Sequence, residues 1–178
     1  MEHYVLLIIM VSLLFSAFFS GTEIAYLQSN RLKIEIDKKQ GIVSAKILSF
    51  FVKNESKFIT TLLLGNNIAL VVYGIFMGEL IIAKLFPVHV NTTELPGVIL
   101  LTQTLVSTLI ILVTAEFLPK TIFRINPNRT LSILAYPLAV VYGVLYILTM
   151  LVTLISGLIL GLFGSKQVIG EVNFGAID

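Results

Sequence analysis

The chain has 178 residues, 57% of them hydrophobic and only 12% charged, with a formal net charge of +2; a soluble domain carries roughly 25% charged residues. That balance excludes an ordinary soluble domain and leaves room for three or four membrane-crossing helices of about 20 residues each. Cysteine is absent and the only histidines are His3 and His89, which excludes disulfides and thiolate metal sites and argues against zinc, copper or iron.

The first apolar run covers residues 4–27. Glu2 and His3 precede it where a cleaved signal peptide would carry positive charge, so the segment is expected to stay in the mature protein. Near its end lies a polar insertion, Ser16-Ala17-Phe18-Phe19-Ser20-Gly21-Thr22-Glu23. Residues 28–57 then hold Arg31, Lys33, Lys38, Lys39, Lys46, Lys53 and Lys57, more than half of the 12 Lys and Arg in the chain. By the positive-inside rule this loop is cytoplasmic and the N-terminus lies outside. The net charge therefore reflects topology, and no nucleic-acid partner is expected. Leu32, Ile34 and Ile36, then Ala45, Ile47, Leu48, Phe51 and Val52, predict short amphipathic helices on the inner membrane face.

A second run, residues 58–86, crosses outward and contains Gly65-Asn66-Asn67. Residues 87–96 carry no Lys or Arg, as expected outside. A third run, residues 97–118, returns inward and ends at Pro119-Lys120, with Arg124 and Arg129 behind it. The fourth apolar stretch, residues 131–163, is interrupted by Pro137, Gly143, Gly157 and Gly161. Hydropathy alone favours a crossing, and a re-entrant or surface-lying helix remains the alternative. Gly74-x-x-x-Gly78 and Gly157-x-x-x-Gly161 fit close helix contacts of the kind that make dimers. Of three glycosylation-type sequons, at Asn54, Asn91 and Asn128, only Asn91 falls in an expected external loop.

The chemistry concentrates where ionisable or amide groups enter the apolar runs. Glu116, in Thr114-Ala115-Glu116-Phe117-Leu118-Pro119-Lys120, needs a partner, because a carboxylate at membrane depth is costly. At about 1.5 Å of rise per residue, Ser20 lies about 9 Å, Asn67 about 13 Å and Glu116 about 6 Å above the cytoplasmic ends of their helices. Three polar features on three helices therefore share the inner half of the bilayer. Ser16, Ser20 and Glu23 fall on one helix face. Hydroxyl, amide and carboxylate oxygens suit magnesium, calcium or sodium. One carboxylate compensates part of a divalent charge, so binding should be modest and reversible. Pro119 cannot bond the Ala115 carbonyl, and a π-bulge or a bound cation could satisfy that oxygen. Each feature also has a plainer use: serines bond back to their own helix, asparagines join neighbouring helices, and glutamates cap the inner interface. Thr102, Gln103, Thr104, Ser107 and Thr108 serve either as helix glue or as the lining of an exit path.

Three motifs in order, Ser16 to Glu23, Leu62-Leu63-Leu64-Gly65-Asn66-Asn67, and Glu116-Phe117-Leu118-Pro119-Lys120, resemble the transmembrane domain of the CNNM/CorC family of magnesium transporters. The resemblance covers nearly the whole chain. It implies an all-α integral membrane fold with three transmembrane helices, short cytoplasmic-face helices and a C-terminal juxtamembrane belt helix over residues 131–163, against the preference from hydropathy. It implies a homodimer in the lipid bilayer of the cell membrane, with the C-terminus cytoplasmic. Residues 1–164 would form the membrane domain and 165–178 a linker toward a cytoplasmic CBS-domain pair absent from this chain. The function implied is magnesium efflux coupled to sodium entry, with no enzymatic chemistry. Ser16, Ser20, Asn66, Asn67 and Glu116 are the candidate Mg²⁺ ligands, and Gly21, Glu23, Ala115, Pro119 and Lys120 the surrounding shell or gate. The rival readings are a membrane-anchored magnesium sensor or scaffold that binds without transporting, and a path selective for sodium or calcium.

Overall fold

The computed structural model describes residues 2–89 and 95–162, and among these every element is helical. Helix α1 spans Glu2–Leu27, α2 Arg31–Lys39, α3 Val43–Lys53 and α4 Glu55–Leu85, followed by a short 3₁₀ turn at Pro87–His89. Helix α5, Gly97–Ile111, runs through a π-helical segment, Leu112–Phe117, into α6, Leu118–Ile125, so that the three form one 29-residue rod. Helix α7, Pro127–Leu162, follows after a single residue. Four helical stretches, His3–Leu27, Glu55–Leu85, Gly97–Ile125 and Pro127–Ile159, are long and apolar enough to cross a membrane. Closed intrahelical bonding is what allows such segments in lipid, and the outward Leu7, Leu14, Val71, Leu101, Leu105 and Val144 form the surface it would wet.

The two short helices α2 and α3 form where the amphipathic pattern predicts them. The Asn30 side chain caps α2 by accepting from the Lys33 N–H at 3.1 Å. At its other end Gly41 takes φ +86° while its N–H meets the Lys38 carbonyl at 2.9 Å and the Ile42 N–H meets the Asp37 carbonyl at 3.1 Å. This is a Schellman closure, and glycine enters that backbone region without a side-chain clash. It turns the chain directly into α3. Ser49, buried on α3, donates to Glu35 at 2.5 Å and accepts from Lys38 at 2.8 Å, tying the two helices together. That hydroxyl, and then Lys38, holds the Glu35 carboxyl below its usual range.

Aromatic rings join the C-terminal ends of α1 and α3, the N-terminal end of α4 and the middle of α7. Phe51 and Phe58 stack at 4.3 Å between centroids, Tyr26 meets Phe58 edge-on at 4.9 Å, and Tyr142 lies 5.4 Å from Phe51. Leu62, Leu131, Ala135 and Leu138 complete this buried core. Arg31 lies over the Tyr26 ring, 6.0 Å from its centroid, and forms an ion pair with Glu55.

Helix α7 buries one stripe, Leu131, Ala135, Leu138, Tyr142 and Thr149, at helical spacings of three, four and seven, flanked by half-buried Leu134, Ala139, Val141 and Leu145, and exposes its opposite face. Its contacts advance from Tyr142 against Phe58 to Thr149 hydrogen-bonded to Thr61 at 2.9 Å. Seven residues along α7 thus match three along α4, so the two helices cross rather than run side by side. Beside the crossing, α1, α4 and α7 leave an apolar groove of about 520 Å³ lined by residues such as Val11, Phe15, Ala69 and Val141.

One expectation changes. The third run does not stop at Pro119: the rod continues to Ile125, with the π segment directly before Pro119 accommodating the N–H that proline lacks. Of the Gly74/Gly78 pair, Gly78 lies against the end of the Gln103 side chain of α5, while Gly74 faces open space. Gly78 therefore serves packing within the chain. The Asn91 sequon, part of the external loop and the tail 163–178, including the expected linker, lie outside the described residues.

Candidate functional site

Glycines set how closely the helices carrying polar groups approach. A Cβ on Gly65 would overlap the Phe19 ring of α1, and one on Gly21 would lie 2.6 Å from Cδ2 of Phe123 on α6. Gly65 thus draws α4 onto α1, and Gly21 draws α6 onto α1 from the other side. The consequence is that α1 is pinched between the helices bearing Asn66 and Glu116.

The polar groups meet in this pinch. The Ser16 hydroxyl donates to Asn66 Oδ1 at 2.7 Å, and Asn66 Nδ2 donates to Glu116 Oε1 at 3.3 Å. Glu116 Oε2 accepts from the Ser20 hydroxyl at 3.4 Å and from Lys120 Nζ at 2.5 Å. Ser16 and Ser20 are buried, whereas Asn66, Glu116 and Lys120 remain partly exposed. The Ser20 contact is long for an O–H···O bond, so the carboxylate is held mainly by Lys120 and Asn66.

Four of the five candidate ligands, Ser16, Ser20, Asn66 and Glu116, are brought together, and Asn67 is not. One residue along α4 turns a side chain by about 100°, and Asn67 lies exposed on the outer side. Of the surrounding residues, Lys120 touches the cluster directly. Gly21 contributes by admitting Phe123. Glu23 sits one turn further in, half-buried, and among the described residues no hydrogen bond joins it to the cluster. No group of three or more His, Cys, Asp or Glu occurs among the described residues, so a cation here would rely on hydroxyl, amide and a single carboxylate oxygen set. Those are hard donors, the set that suits Mg²⁺, Ca²⁺ or Na⁺.

The backbone beneath Glu116 is unusual. In the π segment the Leu118 N–H reaches the Val113 carbonyl five residues back. Pro119 supplies no N–H to the carbonyls of Thr114 or Ala115, the two it would face in π or α register. Ala115 and Pro119 are both buried. The π-bulge expected as one way to accommodate Pro119 is therefore present. Along α5, Thr102 and Thr104 bond back to their own helix, and Tyr73 of α4 donates to the Ser107 carbonyl at 3.0 Å.

Phe19 and Phe123 were invisible as site-shaping residues, because a phenylalanine in an apolar run gives no contrast. The Lys120 contact did carry a signal, the spacing of four from Glu116 that places the two on one helix face.

Comparison with known proteins adds an independent line. Residues 7–173 match the model of a family, CNNM, described as the cyclin M transmembrane N-terminal domain. The chain is 30% identical over 155 residues to UPF0053 inner membrane protein YfjD of Escherichia coli, covering 85% of this chain and 33% of that protein. It is 32% identical over 158 residues to UPF0053 protein MG146 of Mycoplasma genitalium, covering 84% of this chain and 35% of that protein. The chain thus spans about a third of the length of these relatives.

Proposed function

This chain belongs to the CNNM family of transmembrane domains, and from that premise we propose that it is the membrane domain of a magnesium transporter working in efflux, with sodium entry as the coupled step. The observation that carries the reading is the convergence of Ser20 and Asn66 on the Glu116 carboxylate, with Ser16 joined through Asn66, from three helical segments. Four oxygen donors at an inner-half depth offer a partial shell to a hard cation. A single carboxylate leaves part of a divalent charge uncompensated, which keeps occupancy reversible, as transport requires.

In this proposal the N-terminus lies outside, the basic α2–α3 hairpin is cytoplasmic, and α7 is the juxtamembrane belt of a homodimer in the cell membrane. The crossing of α7 over α4 supports a belt more than an upright span, and its length serves either. A cytoplasmic CBS-domain pair would follow in the whole protein. No covalent chemistry is assigned to any residue.

Reconstitution into liposomes with an imposed magnesium gradient and an enclosed magnesium dye tests the reading. Wild-type protein should pass magnesium, and Glu116→Gln should reduce the flux at least about tenfold with the helical content retained. A folded wild-type protein that binds magnesium but moves none would favour a sensing scaffold instead. Equal competition by calcium or sodium would reassign the ion.

A further inference from the structure

Glu116 is neutralised by the chain itself. Lys120 Nζ lies 2.5 Å from Oε2, one helical turn away, while Asn66 takes the other oxygen. The two charged side chains are 39% and 28% exposed, so neither is sealed in. An ammonium at hydrogen-bond distance occupies lone pairs that a metal bound to the same oxygen would need. Equally, a carboxylate at membrane depth left without any counter-charge is costly. The two demands are met in turn if one cation replaces the other.

We infer that Lys120 is an exchangeable internal counter-cation: it neutralises Glu116 while no metal is bound and is displaced when a divalent cation takes the carboxylate. This rests on the reading of the cluster as a magnesium site. The side-chain chemistry fits exchange. Lysine offers one compact charge on a flexible four-carbon stem, which can swing its head toward the inner interface. Arginine in its place would grip the carboxylate with a planar fork and resist displacement. The empty site then never presents a bare carboxylate, and the affinity for magnesium is set by competition with an ion that cannot diffuse away.

The test is magnesium chloride titration of the full-length protein in lipid nanodiscs, using Lys120→Met and Lys120→Arg beside wild type. Lys120→Met should bind about fivefold more tightly, the size expected for losing a competitor held by a half-exposed pair, and Lys120→Arg should bind more weakly than wild type. A second readout needs no substitution at Lys120: its acetylation rate, followed by mass spectrometry, should rise about threefold or more in saturating magnesium, and rise equally in Glu116→Gln without metal. Unchanged or weaker binding by Lys120→Met, together with acetylation indifferent to magnesium, overturns the exchange while wild-type binding leaves the site reading standing. Absence of magnesium binding by wild type overturns the site reading and the exchange with it.

Discussion

The aromatic clasp that joins α1, α3, α4 and α7 and the polar cluster around Glu116 are built on opposite principles. The clasp is apolar and closed: Tyr26, Phe51, Phe58 and Tyr142 are buried and packed ring against ring. The cluster is polar and partly open, each member satisfied by one to three neighbours, one of them Lys120. Stability is thereby placed in groups that have no chemistry to perform, and the groups able to exchange partners carry little of the fold. The ion site proposed for the cluster needs such a division, since its own bonds must break during use.

Substitutions can separate the two regions. The largest effect is expected from Phe58→Ala, which removes a fully buried ring touching three others and should cost about 3–5 kcal/mol; denaturation of the protein in detergent would show it, and a loss under 1 kcal/mol would mean the clasp is not the anchor. Asn66→Ala should cost only about 1 kcal/mol, because it leaves the Ser16 hydroxyl and one Glu116 oxygen without a partner in a half-open setting, yet lower magnesium affinity at least about tenfold. Asn67→Ala, next along the helix, should leave affinity within about twofold, and equal losses at the two positions would erase the distinction drawn between them.

The smallest effect belongs to the α2–α3 hairpin. Because the folded Glu35 carboxyl sits below its usual range through Ser49 and Lys38, its contribution is fully present above about pH 4.5, the ordinary value, and fades as pH falls through the lower folded value. Glu35 is 41% exposed on its side chain, so solvent screening should hold the loss under about 1 kcal/mol. Acid titration of stability should show that small decline in wild type and lack it in Glu35→Gln.

Legibility in the sequence followed contrast. Ser16, Ser20, Asn66 and Glu116 stood out because each is polar inside an apolar run, and depth along the helix was enough to bring them to one level. Pro119 announced its own disruption, and the π segment is one of the two outcomes it allows. The clasp could not be read, since Phe51, Phe58 and Tyr142 differ little in hydropathy from residues that face outward. The choice between Asn66 and Asn67 was closed to counting as well; it depends on the rotation of α4, which Gly65 fixes by admitting the Phe19 ring. For α7, apolarity all round hid the stripe from Leu131 to Thr149 that packs on the other helices.

The π segment at Leu112–Phe117 has a consequence for how the third rod is read as text. A π turn holds roughly one residue more than an α turn, so the faces of α5 and α6 follow two reading frames offset by about 100°. A helical wheel drawn straight through Gly97–Ile125 scrambles them. Removing one residue from 112–117 would restore a single frame while leaving α5 and α6 facing as they do now. In that sense the segment behaves as an insertion of one letter, placed directly before the proline that an uninterrupted α-helix would accommodate least well.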